Sequence, residues 1–273
     1  MSGFKINFKL QAPKKIKPFG KKPNYSLRWF GLTDGLLWIE VGAQTLYEYG
    51  EHAQKRFRLK QKYNDYYLAR FAEDFSATFE HVSESVPQEL YDSVELFDAD
   101  VRRWSDRYAE QADDADNTDA LSYDGFCELN EWRDARSFDS AHLVGGPRIG
   151  CFRLNDKIKI VWTSDAPLKR GISLWSSPVG CYEIEYAAFV AAADEFYAAF
   201  TAAMDRQIEI AVAVKPKKVK LDGAQIAREH ATRRAEFSNA LAYLRDGGKP
   251  ATDWGKVNAL YAALKHDLSK PRG

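Results

Sequence analysis

The feature that most constrains this chain is a change of hydrophobic period, made twice. Near the start Phe4, Ile6, Phe8 and Leu10 alternate with Lys5, Asn7 and Lys9, the period of two that marks a strand with one buried face. Further on, Leu68, Phe71, Phe75, Phe79 and Val82 step by three and four, as do Leu90, Val94, Phe97, Val101, Trp104 and Tyr108. Those steps place apolar groups on one stripe of a helix. The second half repeats the order. Arg148 to Leu154 and Lys157 to Trp162 flank a tight Asn155-Asp156 turn, and Phe189, Phe196, Phe200, Met204 and Ile208 then define a long helix. The expected fold class is therefore α+β, with antiparallel β meanders packed against long amphipathic helices and a helical C-terminus. The expected organisation is an α+β domain over 1–214, with strand-then-helix halves near 1–120 and 121–214, and a helical segment over 221–270 packed on it.

Local signals sharpen this outline. The firmest strands are 4–10, 25–32, 36–42, 148–154 and 157–163, with further short strands near 45–49, 171–175 and 180–184. Asp34-Gly35 reads as a two-residue hairpin turn. It would set Leu32 opposite Leu37, Phe30 opposite Ile39 and Arg28 opposite Val41. Ser85 with Pro87 reads as the start of the second long helix, and a short helix is expected over 123–136. Gly247-Gly248 closes a helix opened by Asp222, and Asp253 opens the last one.

Charge is balanced overall but not locally. Lys plus Arg and Asp plus Glu both number 39, which disfavours a generally basic nucleic-acid binder. Residues 1–22 hold seven lysines and no acid, and their alternation with Phe4, Ile6 and Phe8 fits an edge strand guarded by lysine. Residues 73–139 hold 20 acidic residues against five arginines, a net of −15. That surface repels itself and steers basic partners toward it. Asp106 and Glu110 on the helix, with Asp113, Asp114, Asp116 and Asp119 in an exposed loop over 111–122, are the expected partner-binding residues. The three cysteines, Cys127, Cys151 and Cys181, form no CxxC pair and leave an odd thiol. With no signal-peptide core at the N-terminus, they fit a cytoplasmic protein.

Catalytic signatures are weak. No nucleotide-binding glycine loop or nucleophile elbow is present, so no cofactor is expected. Asp139, His142 and Cys151 lack the paired short spacing of a metal site, and no metal is expected either. His230 falls on the stripe of Ile226, Phe237, Leu241 and Leu244 and reads as a packing position. Asp34 and Glu40 read as a turn acid and a surface acid. No catalytic residue is assigned.

The block Trp29-Phe30-Gly31-Leu32-Thr33-Asp34-Gly35 followed by Trp38-Ile39 resembles the opening of a bacterial family of unknown function. Similar blocks are 141–149 (His142-Leu143 through Gly145-Gly146-Pro147-Arg148-Ile149), the stretch from Val161-Trp162 to Trp175, 196–206, and Glu229-His230 with Arg233. The resemblance implies an immunity protein of a secreted or polymorphic toxin system, whose partner is a cognate toxin or effector protein. The 37 aromatic residues and the acidic middle suit a binding surface. The alternatives are an enzyme using Asp34, Glu40 or His142, and a regulatory module touching nucleic acid through the basic ends.

Overall fold

The computed structural model describes residues 3–110, 120–140, 142–143, 145–164, 173–214, 219–248 and 250–270. The chain is α+β. Strand β1 (Phe4–Leu10) is followed by a short strand β2 (Tyr25–Ser26), a single helical turn α1 (Trp29–Leu32) and the long strand β3 (Asp34–Val41). Next come β4 (Gln44–Leu46), α2 (Glu51–Phe57), β5 (Asn64–Tyr67), α3 (Leu68–Ala77) and α4 (Phe79–Val82). The long helix α5 (Gln88–Glu110) leads to α6 (Tyr123–Asp134), β6 (Ser137–Asp139), β7 (Arg148–Leu154), β8 (Lys157–Thr163) and β9 (Val179–Glu185). Helix α7 (Tyr186–Val214), strand β10 (Val219–Lys220), α8 (Gly223–Asp246) and α9 (Trp254–Ser269) complete the order.

Two four-stranded antiparallel sheets carry the fold. In the first, β3 is central, with β1 along one side and β4 and β5 sharing the other. In the second, β6, β7, β8 and β9 lie in chain order. A two-residue parallel pair joins β2 to β10.

Asp34-Gly35 is not a hairpin turn. The chain reverses one step earlier, through α1, and Asp34 and Gly35 open an unbroken β3. Ile39 therefore faces Ile6 and Leu46, and Leu37 faces Phe8 and Asn64, rather than Phe30 and Leu32. The glycine serves close approach instead of turning: a Cβ on Gly35 would stand 2.5 Å from the Lys9 carbonyl oxygen. Thr33 fixes the corner. Its hydroxyl donates to the Phe30 carbonyl and accepts from Ala69 N–H, and its carbonyl accepts from Leu68 N–H, so α1 is tied to the start of α3.

The larger core lies between the first sheet, the inner face of the second, and α3, α4, α7 and α8. It is rich in stacked and edge-on aromatics, among them Phe71, Phe75, Phe189, Phe196 and Phe200. Helix α7 is long and apolar enough by length and composition to cross a membrane. Here Phe189, Phe196, Phe200 and Met204 are instead buried in this core. A second core gathers α5, α6 and α9 over the opposite face of the second sheet, where Phe152 and Val161 point.

Candidate functional site

The acidic middle of the sequence becomes one face of α5. Its apolar stripe (Leu90, Val94, Phe97, Val101, Trp104) is buried, while Glu89, Asp92, Glu95 and Asp106 are exposed. Among these acids Leu96 projects into solvent, 63% exposed. Where α5 meets the second sheet, Tyr91 donates to Glu183 on β9 (2.9 Å), Lys159 pairs with Glu95 (3.3 Å), and Lys157 pairs with Glu183 (3.0 Å). The hydrogen bonds from Lys157 and Tyr91 hold the Glu183 carboxyl below the usual range, against the cost of burial. The seam between α5 and β9 is thus a mixed one, with Glu183 and Glu185 of β9 and Glu95 of α5 set around Lys157 and Lys159 of β8.

Of the six expected partner-binding residues, Asp106 is exposed on α5 and Glu110 is the last residue of that helix. Asp113, Asp114, Asp116 and Asp119 lie outside the described residues. Described residues before and after them, on α5 and at 120–121, meet one fully buried carboxylate, Asp267 of α9. Ala120 N–H (2.7 Å), Leu121 N–H (2.9 Å), Trp104 Nε1 (3.3 Å) and Lys270 Nζ (3.1 Å) all donate to it, and Arg107 donates to its backbone carbonyl (2.5 Å). Burial opposes its ionisation, yet the two backbone N–H groups, Lys270 and Trp104 together hold its carboxyl below the usual range. The sequence carried a signal for it. The α9 stripe Val257, Tyr261, Leu264 continues by three to Asp267, a carboxylate at an apolar position.

Asp34 lies in a groove of about 520 Å³ with Asp65, Tyr67 and the lysines 9, 15 and 17 around it. Burial, then repulsion from Asp65, raises its carboxyl above the usual range despite a hydrogen bond from Gln11 (3.3 Å). Glu40 is exposed on β3 opposite Lys5 of β1.

His142 packs its ring 4.6 Å from that of Tyr66, and burial lowers the pKa of its imidazole, against the pull of Asp74 and with Arg70 reinforcing. The cavity beside it, under Tyr47 and Ser140, measures about 10 Å³, room for no more than a water molecule. Asp139 pairs with Arg148 (3.0 Å), and Cys151 is buried in the core with its thiol pushed far up. Among the described residues no three His, Cys, Asp or Glu side chains are placed to hold a metal ion.

His230 has a more definite role. Its Nδ1 accepts from Trp29 Nε1 (3.1 Å), and its Nε2 meets Asp205 Oδ1 (3.1 Å). Indole nitrogen only donates, so Nδ1 is unprotonated and Nε2 donates to Asp205. Burial lowers the pKa of the imidazole, against the pull of Asp205. With its lone pair occupied by Trp29, His230 joins α1 to α8 and is not poised as a base.

On this α+β scaffold, exposure, charge and a solvent-facing apolar group coincide on the outer face of α5. The chain belongs to a protein family described as a family of unknown function (DUF5984), whose model matches residues 5–260. No curated protein and no solved structure matches it.

Proposed function

We propose that this protein is an immunity protein, acting inside the cell by binding and neutralising a toxin or effector of a bacterial secretion or polymorphic toxin system, without catalysis. The observation that carries this reading is the exposed face of α5, where Leu96 stands in solvent between Glu89, Asp92 and Glu95 on one side and Arg103 on the other. An apolar centre inside a charged rim is the anatomy of a protein–protein interface. The surrounding negative field speeds capture of a basic partner. The test is co-expression with the product of the neighbouring gene, with complex formation and survival as readouts. Leu96→Arg should abolish both while leaving thermal stability unchanged; full protection by that variant refutes the reading.

A second reading draws on the groove at Asp34. In that groove burial, with Asp65 adding to it, raises the Asp34 carboxyl, and a raised carboxyl in a groove is what carboxylate acid–base chemistry uses. Asp34→Asn separates the two, because it leaves toxin neutralisation intact under the first reading and removes activity under the second.

A further inference from the structure

The two sheets treat their open edges differently. The outer strand of the first sheet, β1, carries Lys5 and Lys9 on its solvent face, the usual guard against unwanted strand pairing. The outer strand of the second sheet, β9, has no lysine, and its charges are the glutamates 183 and 185. Its sequence Val179 to Glu185 contains no lysine, arginine or proline. It runs in unbroken register with β8, from Val179 opposite Thr163 to Glu185 opposite Lys157. Among the described residues no strand pairs with its outer side. An antiparallel strand turns about half of its N–H and C=O groups toward such an edge. The side chains on the α5 face of β9 alternate as Val179, Cys181, Glu183 and Glu185, with Val179 59% exposed.

We propose that β9 is an acceptor for an added strand, and that its occupant is an extended basic segment of the toxin. This rests on the immunity reading given above. Charge selects the occupant. Glu183, which Lys157 and Tyr91 already hold in place, and the exposed Glu185 favour lysine or arginine at alternate positions of the incoming strand, while the residues between them fall on the other face, beside Tyr182 and Ile184, and favour apolar side chains. A second copy of this chain is disfavoured, since it brings one acidic face against another. Backbone hydrogen bonds supply affinity, and the acidic side chains supply register and selectivity.

The test uses the full chain, labelled with ¹⁵N, and the peptide acetyl-Lys-Val-Lys-Val-Lys-Val-Lys-amide. Two comparators are the same peptide methylated on alternate backbone nitrogens and a version with glutamate in place of lysine. Amide exchange at alternate residues of β9 should slow at least about tenfold with the first peptide and with neither comparator. Equal binding of the N-methylated peptide, protection elsewhere than β9, or self-association through β9 overturns the proposal. Val179→Lys with Glu185→Lys gives β9 the guard that β1 already has. Both sites are exposed, so the melting temperature should hold while peptide capture is lost. The two levels separate cleanly. Capture of the peptide without toxin neutralisation refutes the immunity reading and leaves the strand acceptor standing. Unchanged neutralisation by the double variant removes the strand acceptor and leaves the immunity reading.

Discussion

Replacing Asp267 with alanine removes one side chain and disconnects four donors. Trp104 Nε1 and Leu121 N–H are buried, and each left without an acceptor costs about 1–3 kcal/mol. The two together give about 4 kcal/mol, before the partly exposed Ala120 N–H and Lys270 are counted. A domain of roughly this size shifts its melting temperature by about 2–4 °C per kcal/mol. Asp267→Ala should therefore melt about 8–16 °C lower near neutral pH, measured by circular dichroism. The acid side supplies a sign test. Because the folded carboxyl is held below its ordinary value, its contribution is complete above the unfolded value of about 4 and fades as pH falls through the folded one. The gap between parent and variant should therefore narrow in acid. A shift below about 3 °C at neutral pH, or a gap that stays constant into acid, refutes the assignment of Asp267 as the anchor of this corner.

Trp29→Phe removes the donor to His230 Nδ1, so the imidazole, which burial holds below its ordinary value, should titrate higher by NMR; an unchanged titration contradicts the hydrogen bond. In the parent the neutral imidazole is the stabilising form, so its contribution is present above about pH 6.5 and is lost as pH falls through its lower folded value. Gly35→Ala drives a methyl group toward the Lys9 carbonyl and should cost about 1–3 kcal/mol in urea unfolding, with faster amide exchange along β1; a neutral substitution means the two strands are not held so close. Changing Asp113, Asp114, Asp116 and Asp119 to asparagine should keep the melting temperature, slow association with the cognate toxin and flatten its salt dependence; parent-like kinetics removes this segment from the interface.

What the sequence disclosed was local. The alternation over 4–10, 148–154 and 157–163 matches β1, β7 and β8 residue for residue. The two long stripes became α3 with α4, and α5. Asp222 and Asp253 cap α8 and α9 through Gln225 N–H and Lys256 N–H. What it hid was set by distant partners. Asp34-Gly35 has a strong turn preference, but pairing of β3 along the whole of β1 outweighs it, so the strand expected over 25–32 shrinks to β2 and α1. Ser85 does not cap α5; its hydroxyl accepts from Asn155 N–H, far away in sequence. Trp175 makes a single bridge to Tyr49 rather than a strand. Asp267 gathers groups from α5, from the segment before α6 and from α9, and no window of sequence contains them all.

The bond between Trp29 and His230 spans 201 positions of chain, and that separation bears on synthesis. At about 5–20 residues per second, roughly 10–40 s pass on the ribosome between the appearance of the indole and that of its acceptor. Gln207 of α7, which donates to the carbonyls of Gln11 and Leu32, arrives only slightly sooner. For most of that interval β3 and α3 are in place, but the apolar faces of β1 and α1 still lack α7 and α8: Phe4 waits for Phe189, and Trp29 for His230. The opening third of the chain should therefore need chaperone cover until its closing third has been made, and a chain truncated before residue 230 should be cut faster than the full chain in pulse proteolysis.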